Sequence, residues 1–318
     1  MKNKSNKKVE TGFFNSLLNN PTVPKTSGFA FFSGSVLPIG LMIPLVVFSV
    51  FGLLKEGYNQ ENWYRYFAYC ATPVAFAVVT AMYFRISKQS VKKAILAQKC
   101  KLKYFLWAIV MQIGLWSLSA LNELFLIFLS NFGYQDPGIQ LPSTAGFGIV
   151  GVLFCVAVLP AVFEEIFFRG IVLKGLKGFS FAGQVLLCGG LFAVYHQNPA
   201  QTIYQFCCGV AFALVALRAN SILPSVLSHF LNNAAIILLN HFGVVLGIGS
   251  IGYNVILAVA IPCLILSIGY LLFFDKQEKK EDANVDAKAD RKDFFVYAAF
   301  GIAFHVISWL SVLLSGFQ

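Results

Sequence analysis

Apolar residues in this chain do not alternate with polar ones. They run together in long blocks, each close to the ~20 residues a helix needs to cross a bilayer core. Nine blocks meet that length pattern, at roughly 31–54, 63–84, 104–132, 144–168, 181–196, 200–217, 222–240, 249–274 and 294–316. The fifth is short. The fourth continues to about residue 177, because Ile171, Val172 and Leu173 keep the run apolar. In lipid, each segment must satisfy its own backbone hydrogen bonds, so blocks of this kind predict helices. The pattern therefore predicts an all-α fold, a polytopic transmembrane helical bundle of about eight or nine spans.

Composition agrees with the pattern. Hydrophobic residues make up 58% of the chain and charged residues 12%, with a mean hydropathy of +0.72. A soluble domain carries about 25% charge. The net charge of +10 would suit nucleic acid, but the basic residues lie between apolar blocks and form no folded basic domain. No nucleic-acid partner is expected. The bilayer is, and so is a multi-pass location in the cell membrane. Lys2, Lys4, Lys7, Lys8 and Lys25 precede the first block. Arg85, Lys88, Lys92, Lys93, Lys99, Lys101 and Lys103 follow the second, Arg169, Lys174 and Lys177 the fourth, and Arg218 the sixth. Lys276, Lys279, Lys280, Lys288, Arg291 and Lys292 follow the eighth, whereas the intervening loops hold only Lys55 and Arg65. The positive-inside rule puts the N-terminus in the cytoplasm, and nine spans then put the C-terminus outside. No signal-peptide core precedes the first block.

The chain divides accordingly. Residues 1–30 form a basic cytoplasmic segment and 31–142 accessory transmembrane helices. Residues 143–240 form a core of four helices and 241–274 a further span. Residues 275–293 form a charged cytoplasmic linker, leading to a peripheral C-terminal helix at 294–318. Phe13, Phe14, Leu17 and Leu18 are spaced to share one face of a helix on the membrane surface. None of the seven cysteines makes a CxxC pair, and most sit inside apolar blocks as small packing residues.

An ionisable group inside hydrocarbon costs about 3 kcal/mol at a helix centre and marks function by default. Of the 14 acids, only Glu123, Glu164 and Glu165 fall in apolar blocks, and of the 4 histidines His196 and His229 sit nearest to them. His241 reads as a loop residue and His305 as a satisfied core residue. Glu123 either lines the same cavity or makes a buried structural hydrogen bond, the latter being favoured. Glu165 and Arg169, four apart, share a helix face, while Glu164 points about 100° away. One carboxylate is then fixed and its neighbour is free to act as a base. Phe192 with His196, and His229 with Asn233, also pair at four. A hairpin turning near Gly178, Phe179 and Ser180 brings Glu164 and His196 to one depth, roughly 20 Å from the turn. His229 lies only about eight residues past its own turn, so it reaches that depth only with tilt or a recessed turn.

Glu-Glu-x-x-x-Arg (Glu164, Glu165, Arg169), Phe-x-x-x-His (Phe192, His196) and His-x-x-x-Asn (His229, Asn233) occur in order on successive blocks. In this the chain resembles the CAAX-protease and bacteriocin-processing family of intramembrane endopeptidases, which includes the Rce1-type prenyl-protein peptidases. The resemblance covers about residues 143–240 and implies hydrolysis of a peptide bond near the membrane. It implies that Glu164 and His196 activate a water, that His229 and Asn233 stabilise the oxyanion, and that Glu165 and Arg169 order the set. A metal stays open: Glu164, His196 and His229 could hold zinc, or the chemistry could be metal-free and glutamate-dependent. The expected partner is a peptide or protein substrate. The Lys- and Phe-rich composition favours leader-peptide, bacteriocin or pheromone-precursor processing over a prenylated substrate. A non-catalytic immunity or scaffold protein of the same fold is the main alternative, and a proton-coupled transporter the next.

Overall fold

A computed structural model of the chain describes residues 12–94, 100–136, 138, 140–244, 248–275 and 287–317. Among these residues there are helices, turns and loops but no strand. A short helix α1 (Phe13–Asn19) precedes α2 (Val23–Val50), α3 (Asn62–Ser87), α4 (Leu102–Ser130) and α5 (Gly148–Gly175). There follow α6 (Phe181–Tyr195), α7 (Pro199–Ala219), α8 (Leu223–His241), α9 (Ile251–Phe274) and α10 (Ala287–Ser315). Eight of these helices, α2 to α5 and α7 to α10, are long and apolar enough to cross a membrane. The fifth block, α6, has 15 residues. At 1.5 Å per residue it is about 22 Å long and falls short of a bilayer core.

Helix α5 is the centre of the bundle, in contact with α2, α3, α6, α7 and α8. Phe167, Phe168, Arg169, Ile171 and Val172 are accordingly fully buried. Around it, α2 packs between α3 and α10, α4 between α8 and α9, and α6 lies along α7. The outer faces are apolar as well: Val46, Ile265, Phe273, Phe300 and Ile307 are all exposed, as lipid requires.

Three boundaries differ from the hydropathy reading, each for a packing reason. Helix α2 begins at Val23, not near 31, with Thr22 capping Lys25 N–H and Pro24 in the first turn. Its polar start was missed because Thr26, Ser27 and Gly28 are buried against protein instead of lipid. Helix α10 begins at Ala287, so residues 287–293 are helical and not linker, and it is not peripheral, because its contact with α2 is among the most extensive in the bundle. Asp275 is buried and takes Lys103 Nζ (2.6 Å) and the Tyr104 hydroxyl (2.9 Å), so it is not solvated either. In α1, Phe14 and Leu18 are exposed but Leu17 is buried, so they do not share one surface-facing stripe. Lys2, Lys4, Lys7, Lys8, Lys99, Lys276, Lys279 and Lys280 lie outside the described residues. All seven cysteines are free, with Cys188 and Cys208 buried as packing residues.

Small residues permit the close approach of α2, α5 and α10. A Cβ on Gly28 would meet the Phe294 carbonyl and Tyr297, and one on Gly175 would meet Ser27 and the Phe294 ring. Gly28→Val is therefore expected to cost roughly 1–3 kcal/mol by overpacking. Thermal unfolding in detergent should show a midpoint several degrees lower, whereas Gly40→Val, on the same helix with open space beside it, should leave the midpoint nearly unchanged.

Candidate active site

The site begins with a charge that has nowhere else to go. Arg169 and Glu165 are both fully buried, one turn apart on α5, with Arg169 Nη1 donating to Glu165 Oε1 at 2.6 Å. Arg169 Nη2 donates to the Gly209 carbonyl on α7 at 3.2 Å, and the guanidinium carbon lies 4.4 Å from the Phe192 ring centre and 5.2 Å from that of Phe212. Glu165 Oε1 accepts a second bond, from His229 Nδ1 at 2.9 Å. One carboxylate thus ties α5 to α7 through the arginine and to α8 through the histidine. His229 thus reaches α5, and Ser221 and Ile222 in the turn before α8 are buried.

Glu164 stands apart from this knot. Its Oε2 is buried, has no hydrogen-bond partner among the described residues, and lies 3.9 Å from His229 Nε2. That gap is too long for a direct hydrogen bond. His196, at the end of α6, contacts the Phe192 carbonyl through Nδ1 at 2.8 Å. A carbonyl only accepts, so Nδ1 carries the proton and Nε2 is left as the acceptor. His229 is oriented in the same way by a carboxylate.

Asn233 is held by a gap in a neighbouring helix. Pro160 in α5 has no N–H to return to the Val156 carbonyl four residues earlier. Asn233 Nδ2 donates to that carbonyl at 3.1 Å, and Asn232 Nδ2 donates to Asn233 Oδ1 at 3.2 Å. Asn233 keeps a second N–H for another acceptor. Asn232 in turn accepts the Tyr204 hydroxyl at 2.7 Å and meets the Gln112 side chain of α4 at 3.1 Å. Helix α5 also departs from α geometry on both sides of Pro160, through π turns at Leu153–Val158 and Ile166–Val172.

The turn that carries His196 is shaped by Gln197, whose φ of 52° is left-handed. For a residue other than glycine this costs about 1–3 kcal/mol and must be held by its surroundings. Helix α10 supplies them. Gln197 Nε2 meets His305 Nδ1 at 2.8 Å, the Ser308 hydroxyl donates to Gln197 Oε1, and Trp309 Nε1 donates to Thr202 Oγ1 at 2.7 Å. On the other side, Asn122 Nδ2 donates to the Ala200 carbonyl.

Glu164, His196, His229 and Asn233 all line one chamber of about 910 Å³, together with Tyr204 and Asn122. Glu165 and Arg169 lie behind its wall. Glu123 does not line it: its Oε1 accepts the Ile248 N–H at 3.2 Å, at an exposed position. His241 is exposed and meets Thr144 Oγ1 at 2.9 Å, and His305 is buried as expected but bonded to the site's own turn. Sequence reasoning missed Gln197, Asn232, Tyr204 and Gln112, and only the polarity of Gln112 and Asn232 within apolar blocks gave any signal.

For a metal, the donor types suit zinc: two imidazoles with Nδ1 tied off, and one carboxylate. The geometry does not, since among the described residues no three His, Cys, Asp or Glu side chains are grouped to hold an ion.

Residues 146–235 match the family model described as type II CAAX prenyl endopeptidase Rce1-like, and this stretch contains all three motifs. No curated protein and no solved structure matches the chain.

Removing one partner of a buried ion pair strands the other, at a cost of about 3–5 kcal/mol. Arg169→Met should thus unfold the protein at a markedly lower temperature in detergent. The double variant Glu165→Gln with Arg169→Met should recover part of that loss, and equal losses in both would show that the pair does not carry the coupling.

Proposed function

We propose that the protein is an intramembrane endopeptidase that hydrolyses a peptide bond with a water activated by Glu164. The observation that carries this is the unpartnered Glu164 Oε2, 3.9 Å from an oriented His229 Nε2 in a chamber shared with His196. The Rce1-like match over 146–235 supports the same reading.

In this mechanism the water sits against Glu164 Oε2, positioned by the acceptor Nε2 of His196. It attacks the scissile carbonyl carbon while Glu164 takes its proton. The carbonyl oxygen becomes an oxyanion, held by the free N–H of Asn233 and by His229 in its doubly protonated form, whose Nδ1–H stays on Glu165 while Nε2–H points to the oxyanion. A well-aimed donor of this kind contributes about 3–4 kcal/mol. Collapse of the intermediate breaks the C–N bond. Glu164 then passes its proton to the departing nitrogen, leaving a new carboxylate and a new amine. Glu165 and Arg169 touch no reacting atom. They fix the position and tautomer of His229.

In this reading Glu164 and the two histidines act directly, and no step is routed through a metal. Activity should accordingly survive exhaustive chelation of purified protein. Loss on chelation that zinc restores, with bound zinc by elemental analysis, would overturn the metal-free reading.

The peptidase reading itself is tested in cells by mass spectrometry of the secreted peptide pool. General acid–base groups contribute about 10²–10⁴-fold. Glu164→Gln, which keeps the shape and removes the base, should abolish the processed species, as should His196→Ala. Unchanged processing in a well-folded Glu164→Gln variant would leave the non-catalytic scaffold reading in its place.

A further inference from the structure

The chamber is one-sided. It reaches no farther along α3 than Pro73, begins on α4 at Trp116, ends on α5 at Glu164, begins on α8 at His229 and ends on α9 at Ile256. Each limit leaves the opposite end of that helix outside the chamber. On these five helices the lining belongs to the halves that lead to the loops 51–61, 131–147 and 242–250, and the turn between α6 and α7 with the start of α7 supplies the rest. Asp136 and Leu141 come from loop 131–147, Phe242 and Val244 from loop 242–250, and the last two are exposed. Toward the other face the way is closed. Below Glu164 lie the fully buried Glu165 and Arg169, capped by the buried rings of Phe168, Phe192 and Phe212.

The two faces also differ in charge. The closed face carries Lys88, Lys101, Lys177, Arg218, Lys288 and Arg291, and the open face only Lys55 and Arg65. Lys and Arg in short loops mark the cytoplasmic side. We infer that the site is fed from the extracytoplasmic side of the membrane and receives an apolar peptide segment lying at or emerging from the outer leaflet.

Chamber size and surface chemistry fit that occupant. About 910 Å³ lies at the upper end of the range for ligand sites and accommodates several residues of extended chain. Leu126, Ile236, Leu239, Phe242 and Ile256 give it apolar walls, with Glu164, His196, His229 and Asn233 among its polar groups and Asp136 toward the loops. A segment of this kind buries its side chains along the walls and brings its backbone to Glu164. The nature of the occupant rests on the peptidase reading, while the side of access does not.

Accessibility is measured on the full-length protein in cells, with a small membrane-impermeant charged methanethiosulfonate as the probe. Peptide mass spectrometry assigns the label, so the native cysteines stay in place. Val244→Cys at the mouth and Ala235→Cys inside the chamber should be modified in intact cells. Lys177→Cys on the closed face should be modified only after permeabilisation. Modification of Ala235→Cys only from the cytoplasmic side, or from neither side, would overturn the inference. None of these readouts requires peptidase activity. An active Glu164→Gln variant would remove the peptidase reading and leave the access result standing, and the converse pattern would do the reverse.

Discussion

Everything in the bundle is arranged around one buried charge. A guanidinium does not lose its proton in a protein, so Arg169 is a full positive charge with no exposure to solvent. It is tolerable only with a carboxylate beside it, a carbonyl to accept a further N–H and aromatic faces to receive the rest of the cation. Glu165, Gly209 and the rings of Phe192 and Phe212 supply these, and they come from α5, α6 and α7. His229 adds α8 by sharing the Glu165 oxygen. Four helices are therefore registered against one another by a requirement of electrostatics, which the nonspecific packing of apolar side chains could not impose. Glu164 profits by exclusion. Arg169 Nη1 and His229 Nδ1 are spent on Glu165, and Glu164 Oε2 is left without a partner among the described residues.

The same logic of unmet valence recurs at the edge of the site. A proline in α5 frees the Val156 carbonyl, and Asn233 on α8 claims it. A left-handed Gln197 would relax without support, and α10 provides that support through His305 and Ser308. The family match ends at residue 235. The geometry of its second motif nevertheless depends on a helix that begins at Ala287, and the network behind Asn233 runs through Gln112 of α4. The helices flanking the matched stretch are thus part of how the site is held.

How much of this was legible in the sequence follows from which forces are local. Helix positions were readable because a bilayer leaves backbone groups no alternative, and run length alone then suffices. Where protein replaces lipid the signal fails: Thr26, Ser27 and Gly28 look like an exposed tail and are a buried helix start. The i, i+4 pairing of Glu165 with Arg169 was readable for the same local reason. The contact of His229 with Glu165 was not, because it depends on how α8 packs against α5. The roles of Gln197, Asn232 and Tyr204 were invisible because they are fixed by partners roughly 30 to 110 positions away. Glu123 makes the structural hydrogen bond that was the favoured reading, but at an exposed position, because it reaches the loop beyond its apolar run.

A hydrolase within a membrane faces two opposed demands. Water must reach the scissile bond, and the membrane must not leak. A chamber open to both faces would meet the first demand and violate the second. Here the Arg169 knot resolves the conflict, because the residues that orient His229 also fill the space between the site and the basic face. They and their aromatic cover of Phe168, Phe192 and Phe212 are buried, which closes this side of the site to solvent. Above them, apolar walls accompany a chain segment to the polar groups around Glu164, where in the proposed mechanism Glu164 and His196 hold the water. Orientation of the site and closure of the membrane are then carried by one set of side chains, which is why the knot lies directly against the reacting groups.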